Sequence, residues 1–170
     1  MEMDYNINFK FDSNVLIIGN AMSGKTTFGK HLAKTLDGAS FVENINTDNY
    51  YEYILGNLTG KYVIIDDMFT HLTVEQRNIV LDIASKKDIK IINISTDSKD
   101  LLLFPYIIVI NEYNVLMEGL KENVLNEDRI LSHLGIELPF VYQLSRELKD
   151  YNCIDKACFS NKELVDLLWK

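Results

Sequence analysis

The chain has 170 residues, of which 47% are hydrophobic and 25% charged, as in one ordinary domain with a sizeable core. Its formal net charge of −8 at pH 7 disfavours binding to the phosphate backbone of nucleic acids. No run of about 18 apolar residues occurs in the sequence, so we expect no direct membrane insertion and a cytoplasmic location.

Apolar runs and helical patterns alternate along the first part of the chain. Residues 6–11 alternate as in a half-buried strand, and residues 15–19 (VLIIG) form the continuous apolar run that is typical of a buried parallel strand. A helix is predicted from Lys25 to Leu36, because Phe28 and Leu32 fall on one face with Leu36. The next predicted elements are a strand at 40–44, a short helix at 48–58, a strand at 62–67, a helix after the N-cap Thr73 with Gln76 completing its capping box, and strands at 90–95, 106–111 and 115–118.

From Lys121 onward the pattern is helical, at residues 121–126, 128–134, 139–151 and 161–169. Strands that alternate with helices predict an α/β fold, with a mostly parallel sheet and helices on both of its faces. We therefore expect a core over residues 1–119 and a small helical C-terminal tail over residues 120–170. The tail is either an appendage or part of the same domain.

Residues 19–26 (GNAMSGKT) match the P-loop pattern G-x-x-x-x-G-K-[ST], which predicts a P-loop NTPase fold. The glycines let the backbone approach phosphate groups, and the N–H groups at the start of the following helix bind the anion. Lys25 is expected to reach the outer phosphates and the Thr26 hydroxyl to ligate Mg²⁺. The expected ligand is ATP or GTP. The choice between the two stays open, because no base-reading motif is found. The predicted nucleotide-binding residues are Gly19, Asn20, Ala21, Met22, Ser23, Gly24, Lys25, Thr26 and Thr27.

Two carboxylates end the predicted strand YVIIDD at residues 62–67. Asp66 is expected to hold the magnesium ion together with Thr26, directly or through water. Asp67 is a candidate catalytic residue that orients or activates the attacking water. The alternative for either residue is a solvated strand end or a helix cap.

Other polar and aromatic residues lie near these motifs in the sequence, and each has two interpretations. Asn93, Ser95 and Thr96 either include a sensor of the terminal phosphate or are ordinary polar residues at a strand end. His71 is either part of the site or a surface or capping residue. The tyrosines at 50, 51 and 53 either pack a short helix or form an adenine platform.

Much of the chain resembles a known family. Residues 65–96 resemble the Walker B motif, the D-loop and the following strand of ABC-type ATPases, and residues 107–125 resemble the stretch that comes next in that family. EDRILSHLGIELPFVYQLSRELKD, at residues 127–150, is similar to the C-terminal tail of the ATPase subunits of energy-coupling factor (ECF) transporters. The resemblance covers about residues 6–36 and 61–150. It implies an ABC-type fold that binds ATP with Mg²⁺.

The sequence also departs from that family. Residues 27–60 replace an interval that in the family holds the Q-loop, a helical subdomain and the LSGGQ signature, and none of these is recognisable here. Asp97 stands where the family has its signature histidine, Asp67 where it has a catalytic glutamate, and Thr73 where it has the D-loop aspartate. Tyr5 is the residue that could substitute for the aromatic side chain that stacks on adenine.

Three functions are compatible with this sequence. The first is an ATP-binding protein related to ECF ATPases, with weak or absent hydrolysis. The second is an independent small P-loop NTPase or kinase-like enzyme, with an acceptor site in residues 40–60. The third is a degenerate interaction module. The expected protein partner is a second copy of the chain or an intact ABC ATPase, bound through apolar residues of the tail such as Phe140 and Leu144.

Overall fold

The computed structural model describes residue 5, residue 7 and residues 9–169, which form a sheet flanked by helices. The strands are β1 (Val15–Ile18), β2 (Ala39–Val42), β3 (Tyr62–Asp66), β4 (Lys90–Ser95), β5 (Tyr106–Asn111) and β6 (Asn114–Leu120). The helices are α1 (Lys25–Thr35), α2 (Tyr50–Gly56), α3 (Val74–Lys86), α4 (Lys121–Asn126), α5 (Asp128–His133), α6 (Phe140–Asp150) and α7 (Asn161–Leu168). Short 3₁₀ helices, which the sequence patterns did not predict, span Phe69–His71 and Ser98–Leu102.

The six strands form one sheet in the order β2-β3-β4-β1-β5-β6. Strands β1 to β5 pair in parallel, and β6 pairs antiparallel with β5 at one edge. The prediction of a mostly parallel sheet is therefore confirmed. Because β4 lies between β1 and β3, the carboxyl ends of these three strands share one edge of the sheet, where ligands of open α/β sheets bind.

Helices cover both faces of the sheet, as predicted. Phe28 and Leu32 of α1 pack with alternate apolar residues of the strands on one face, together with the N-terminal segment. Residues of α2, α3, α4, α5 and α6 pack on the opposite face, in a larger cluster. Strand β1 is almost completely buried, as its unbroken apolar run requires.

The C-terminal helices pack against the rest of the chain. Leu125, Leu131 and Tyr142 belong to the large apolar cluster that also contains residues of β3, β4 and β5. Helices α6 and α7 add a smaller cluster of their own, in which Leu144 is half-buried. The division of the chain at residue 119 stays a prediction, because a shared cluster does not by itself decide where a domain ends.

The strand predicted at residues 6–11 is wrong for residues 9–11, while residues 6 and 8 lie outside the described residues. Phe11 has a φ of 53°, in the left-handed region, which a β-strand does not allow. Its side chain is nevertheless buried, and Phe9 stacks on Tyr106 at a centroid distance of 3.9 Å. Tertiary packing thus uses the apolar residues of this segment without extending the sheet.

Helix α3 begins at the capping box that the sequence predicts. The Thr73 hydroxyl accepts a hydrogen bond from the Gln76 amide at 3.2 Å, and the Gln76 side chain accepts one from the Thr73 amide at 3.0 Å. Val80 and Ala84 face the core, whereas Val74 and Ile79 are exposed. The buried face of α3 also carries a charged residue, Arg77, whose burial the apolar pattern did not reveal.

Arg77 belongs to a buried polar network at the end of β4. Its guanidinium donates to Asp100 at 2.7 Å and to Asp97 at 3.0 Å, and its Nε donates to the Leu72 carbonyl at 3.2 Å. The side chains of Arg77 and Asp100 are 4% and 0% exposed. Asn93 donates to the second oxygen of Asp100 at 3.0 Å. Burial raises the pKa of the Asp100 carboxyl, and the negative charge of Asp97 adds to the rise, whereas the hydrogen bonds that Asp100 accepts and the charge of Arg77 oppose it.

We expect the substitution Asp100→Ala to lower the free energy of unfolding by about 3–5 kcal/mol, because it leaves the Arg77 charge buried without its closest partner. The matched control is Asp82→Ala, which removes an aspartate from the exposed pair with Lys86 and should cost about 1 kcal/mol or less. Urea denaturation followed by circular dichroism measures both values. Equal losses in the two variants would contradict a structural role for the buried network.

Candidate functional site

The loop between β1 and α1 is shaped by close contacts at its two glycines. A Cβ atom on Gly19 would lie 2.1 Å from the carbonyl oxygen of Ile110, so β5 approaches too closely for any side chain at this position. Gly24 has a φ of 99°, which favours glycine, and precedes the first residue of α1. No side chain in the described part of the chain caps the N-terminus of α1. Its first N–H groups are thus available to an anion.

Lys25 is held inside this loop. Its ammonium group donates to the carbonyl oxygens of Gly19 at 2.9 Å and Asn20 at 2.6 Å, and the residue is only 8% exposed. Burial lowers the pKa of Lys25, while the negative charges of Asp67 and Asp66 act in the opposite direction. A phosphate group at the loop would add further negative charge next to this buried cation.

Thr26 and Asp66 lie together although they are far apart in the sequence. The Thr26 hydroxyl is 3.1 Å from both carboxylate oxygens of Asp66 and donates a hydrogen bond to that carboxylate. Burial raises the pKa of Asp66, an effect that the Thr26 hydrogen bond opposes. A hydroxyl oxygen and a carboxylate are donors that suit Mg²⁺, which commonly takes one or two protein oxygens and completes its shell with water and phosphate. The donor set therefore fits the predicted metal.

Asp67, the candidate catalytic residue, follows β3 with a φ of 52°. Its amide donates to the carbonyl of Ile94 at 2.8 Å, which fixes the turn onto the neighbouring strand. Its carboxylate accepts a long hydrogen bond of 3.5 Å from Thr96. Asp67 thus lies at the same sheet edge as Asp66, in a left-handed conformation that aspartate adopts more readily than most residues.

The polar residues of β4 separate into two groups. Asn93 and Ser95 are completely buried, and both belong to the Arg77–Asp100 network: Asn93 bonds Asp100, and the Ser95 hydroxyl accepts from the Asp97 amide at 2.9 Å. Both side chains therefore contact this network. Thr96 is the member of this predicted group whose hydroxyl reaches an acidic residue of the site, Asp67.

Asp97, at the position of the family's histidine, is turned toward α3. Its carboxylate pairs with Arg77 at 3.0 Å and accepts a hydrogen bond from the Lys99 amide at 3.0 Å. In this arrangement the side chain stabilises the start of the 3₁₀ helix Ser98–Leu102 and the buried network. Both contacts of Asp97 therefore support the fold.

The segment over β2 and α2 reaches the acidic edge of the sheet. The Asn44 side-chain amide lies 3.4 Å from the Asp67 carbonyl, to which it donates. Tyr50 stacks on His71 with a centroid distance of 4.0 Å. The tyrosines at 50, 51 and 53 are half-buried against the main apolar cluster, as the packing interpretation predicts. Sequence patterns gave no signal for the contact of Asn44 with this edge.

Tyr113 was not predicted as a site residue. It lies in the turn between β5 and β6, and its amide donates to the Ser23 carbonyl of the phosphate loop at 2.8 Å. A cavity of about 180 Å³ is lined by residues 22–27 and Tyr113. The Ser23 hydroxyl is buried and has no hydrogen-bond partner among the residues that the structure describes. An unpaired buried hydroxyl in the loop is consistent with a polar ligand there.

Tyr5, the predicted substitute for the adenine-stacking residue, packs against α1. Its ring lies 4.5 Å from that of Phe28 and 5.3 Å from that of His31. Burial raises the pKa of the Tyr5 hydroxyl, and Tyr113 contributes to the rise in the same direction. Tyr5 therefore packs on α1, the helix that begins at residues of the cavity.

No family model matches the chain. A curated relative, the energy-coupling factor transporter ATP-binding protein EcfA of Malacoplasma penetrans, is 25% identical over 117 residues, which is 66% of this chain and 41% of the relative. The chain thus spans less than half the length of that relative. None of the helices within residues 9–169 has the length and apolar character needed to cross a membrane.

Solved structures of known proteins share the fold, and two of them serve as examples. One is cbiO1 from Clostridium perfringens, with a TM-score of 0.52 and 14% identity, covering 79% of this chain and 87% of that one. The other is the dimeric ATP-binding cassette MJ0796 bound to ADP and Pi, with a TM-score of 0.53 and 12% identity, covering 69% of this chain and 89% of that one. The chain is therefore similar to the ATP-binding proteins of energy-coupling factor transporters, and its P-loop α/β fold is that of ABC-type ATPases.

Proposed function

We propose that the chain binds a magnesium–nucleoside triphosphate at residues 19–27. ATP is the proposed ligand, because the curated relatives are named ATP-binding proteins, and GTP is the alternative. The observation that carries the proposal is the meeting of a P-loop lysine, a P-loop threonine and a strand-end carboxylate at one edge of the sheet. In this proposal the loop amides and Lys25 bind the phosphates.

Thr26 and Asp66 are the residues that would hold Mg²⁺ in this complex. The ion would neutralise part of the charge on the outer phosphates. Asp66 is half-buried, and burial already raises its pKa, so its negative charge lacks full solvation. A cation next to this carboxylate would favour its ionised form. This electrostatic argument supports coupled binding of metal and nucleotide.

We propose that hydrolysis by the isolated chain is weak or absent. Asp97, in place of the family's histidine, is engaged by Arg77 and by the Lys99 amide. Asp67 is shorter by one methylene group than the glutamate it replaces, and no LSGGQ-like stretch occurs in the sequence. Each missing transition-state contact of this kind typically costs a few kcal/mol of barrier.

A second candidate function is a kinase-like enzyme, and the β2–α2 segment supports it. Asn44 contacts the backbone of Asp67, and Tyr50 stacks on His71, so this segment lies beside the proposed attacking position. An acceptor molecule bound there would approach the terminal phosphate from the side of Asp67. Phosphoryl transfer to an added acceptor, with little release of free phosphate, would distinguish this function from a slow ATPase.

We further propose that the chain pairs through its tail, with a second copy or with an intact ABC ATPase. The structural neighbour MJ0796 is described as dimeric. Phe140, at the start of α6, is 75% exposed, and Ile130 of α5 is also exposed. Leu144 instead packs within the α6–α7 cluster, so it is half-buried in the single chain. Phe140 is therefore the better residue for testing association.

Mg²⁺-ATP should stabilise the fold by roughly 2–4 kcal/mol at about 100 to 1,000 times its dissociation constant. Lys25→Ala should lose most of this gain, because the cation that faces the phosphates is removed. Thermal unfolding with and without nucleotide measures the gain for each variant against its own ligand-free form. Lys34→Ala, an exposed lysine on α1, is the control and should keep the gain. If no nucleotide stabilises the unmodified chain, nucleotide binding is refuted.

The isolated chain should turn over ATP far more slowly than 1 s⁻¹, the lower end of the usual enzyme range. Phosphate release from purified protein measures the rate, and Lys25→Ala gives the background from contaminating ATPases. A turnover number on the order of 1 s⁻¹ or above would favour an independent NTPase over the proposed weak ATPase.

Phe140→Glu should weaken self-association, or association with a co-purified ABC ATPase, because it places a charge in an apolar contact. Light scattering across a concentration series reports the mass in solution. Leu116→Glu on β6, an exposed apolar position outside the tail, is the control and should associate as the unmodified chain does. A monomer that also fails to bind any ABC ATPase tested would refute pairing through the tail.

A further inference from the structure

The cavity at the phosphate loop is too small for a whole nucleotide. Its volume is about 180 Å³, whereas pockets that enclose ligands of this size usually measure about 300–1,000 Å³. A phosphate chain bound there would place the sugar and the base outside the cavity, across its rim. The residues at the rim therefore determine whether the base contacts the protein.

Tyr113 is the aromatic side chain that lines this cavity. Its ring rests on Gly24, with one ring carbon only 2.6 Å from the place where a Cβ of Gly24 would stand. Its amide is bonded to the Ser23 carbonyl at 2.8 Å, so the turn is fixed directly to the phosphate loop. The residue is 46% exposed, which leaves part of its surface available to a ligand.

The backbone conformation at Glu112 and Tyr113 is energetically unfavourable for these residue types. Glu112 and Tyr113 have φ values of 48° and 63°, as in a two-residue hairpin turn of type I′. Such turns favour asparagine, aspartate and glycine, and a bulky aromatic residue with positive φ is uncommon. Strained residues of this kind cluster at ligand-binding positions. The conformation holds the Tyr113 ring beside the cavity.

A second tyrosine packs on the helix that begins at this cavity. Tyr5 packs on Phe28 and His31 of α1, which follow the last predicted nucleotide-binding residue, Thr27, by one and four positions. Tyr5 thus adds an aromatic ring next to α1, the helix that begins at cavity residues 25–27.

We infer that Tyr113 is the platform on which the base of the bound nucleotide stacks, and that it favours a purine over a pyrimidine. The inference rests on the proposed binding of a nucleoside triphosphate at the phosphate loop. Base–aromatic stacking is tolerant of base identity, but a purine offers the larger face to the ring. If Tyr113 only supported the loop through its contact with Gly24, its role would be structural. Removing the ring would then weaken the binding of ligands with and without a base equally.

The test compares ATP, CTP and inorganic tripolyphosphate, each with Mg²⁺, by isothermal titration calorimetry. The variants are Tyr113→Phe, which keeps the ring, and Tyr113→Asn, which removes it but accepts a positive φ. Tyr151→Asn, at a highly exposed tyrosine after α6, is the matched control. Thermal unfolding of each ligand-free variant checks that the fold is retained.

We expect Tyr113→Asn to bind ATP about ten-fold more weakly and tripolyphosphate unchanged, while Tyr113→Phe and Tyr151→Asn bind ATP as the unmodified chain does. The unmodified chain should bind ATP more tightly than CTP. Unchanged ATP affinity in Tyr113→Asn, or equal losses for ATP and tripolyphosphate, would overturn the inference. Equal affinity of the unmodified chain for ATP and tripolyphosphate would overturn base stacking alone, and binding of neither would overturn the proposed function as well.

Discussion

The contact between Thr26 and Asp66 depends on the order of the strands. Thr26 follows β1 and Asp66 ends β3, yet β4 lies between these two strands. Their side chains meet, at 3.1 Å, because parallel pairing brings all three carboxyl ends to one edge and because α1 starts immediately after the loop. A change in strand order or in the register of β4 would separate the hydroxyl from the carboxylate. The order and parallel pairing of the strands therefore bring the residues of the site together.

The short interval between α1 and β3 also contributes to this edge of the sheet. In the family that the sequence resembles, this interval holds a helical subdomain, whereas here it contains β2 and α2. Strand β2 pairs with β3 and so completes the edge beside Asp66. The loop after it brings Asn44 to the Asp67 carbonyl. The shortened interval thus contributes to the site's boundary.

Local signals predicted the elements that local chemistry determines. The apolar run of β1, the capping box at Thr73 and the glycine-rich loop were each identifiable from a few neighbouring residues. Contacts between residues that are distant in the sequence could not be identified in this way. Arg77 lies on a buried helix face because it pairs there with Asp97 and Asp100, which follow the end of β4 by two and five residues. Likewise, Asn93 was a plausible phosphate sensor from its place in β4, and only its buried bond to Asp100 identifies its structural role.

The two carbonyl bonds of Lys25 have a consequence for ligand affinity. An ammonium group has three N–H donors, and the Gly19 and Asn20 carbonyls already accept from it. One of the three donors is thus left for a phosphate group. Any further hydrogen bond from Lys25 to that phosphate requires the loss of a bond to a backbone carbonyl, which offsets part of the binding free energy. Side-chain substitution cannot remove the competitor, since both acceptors are main-chain atoms. The affinity of the proposed site for phosphate thus depends in part on the hydrogen bonds that Lys25 makes within its own loop.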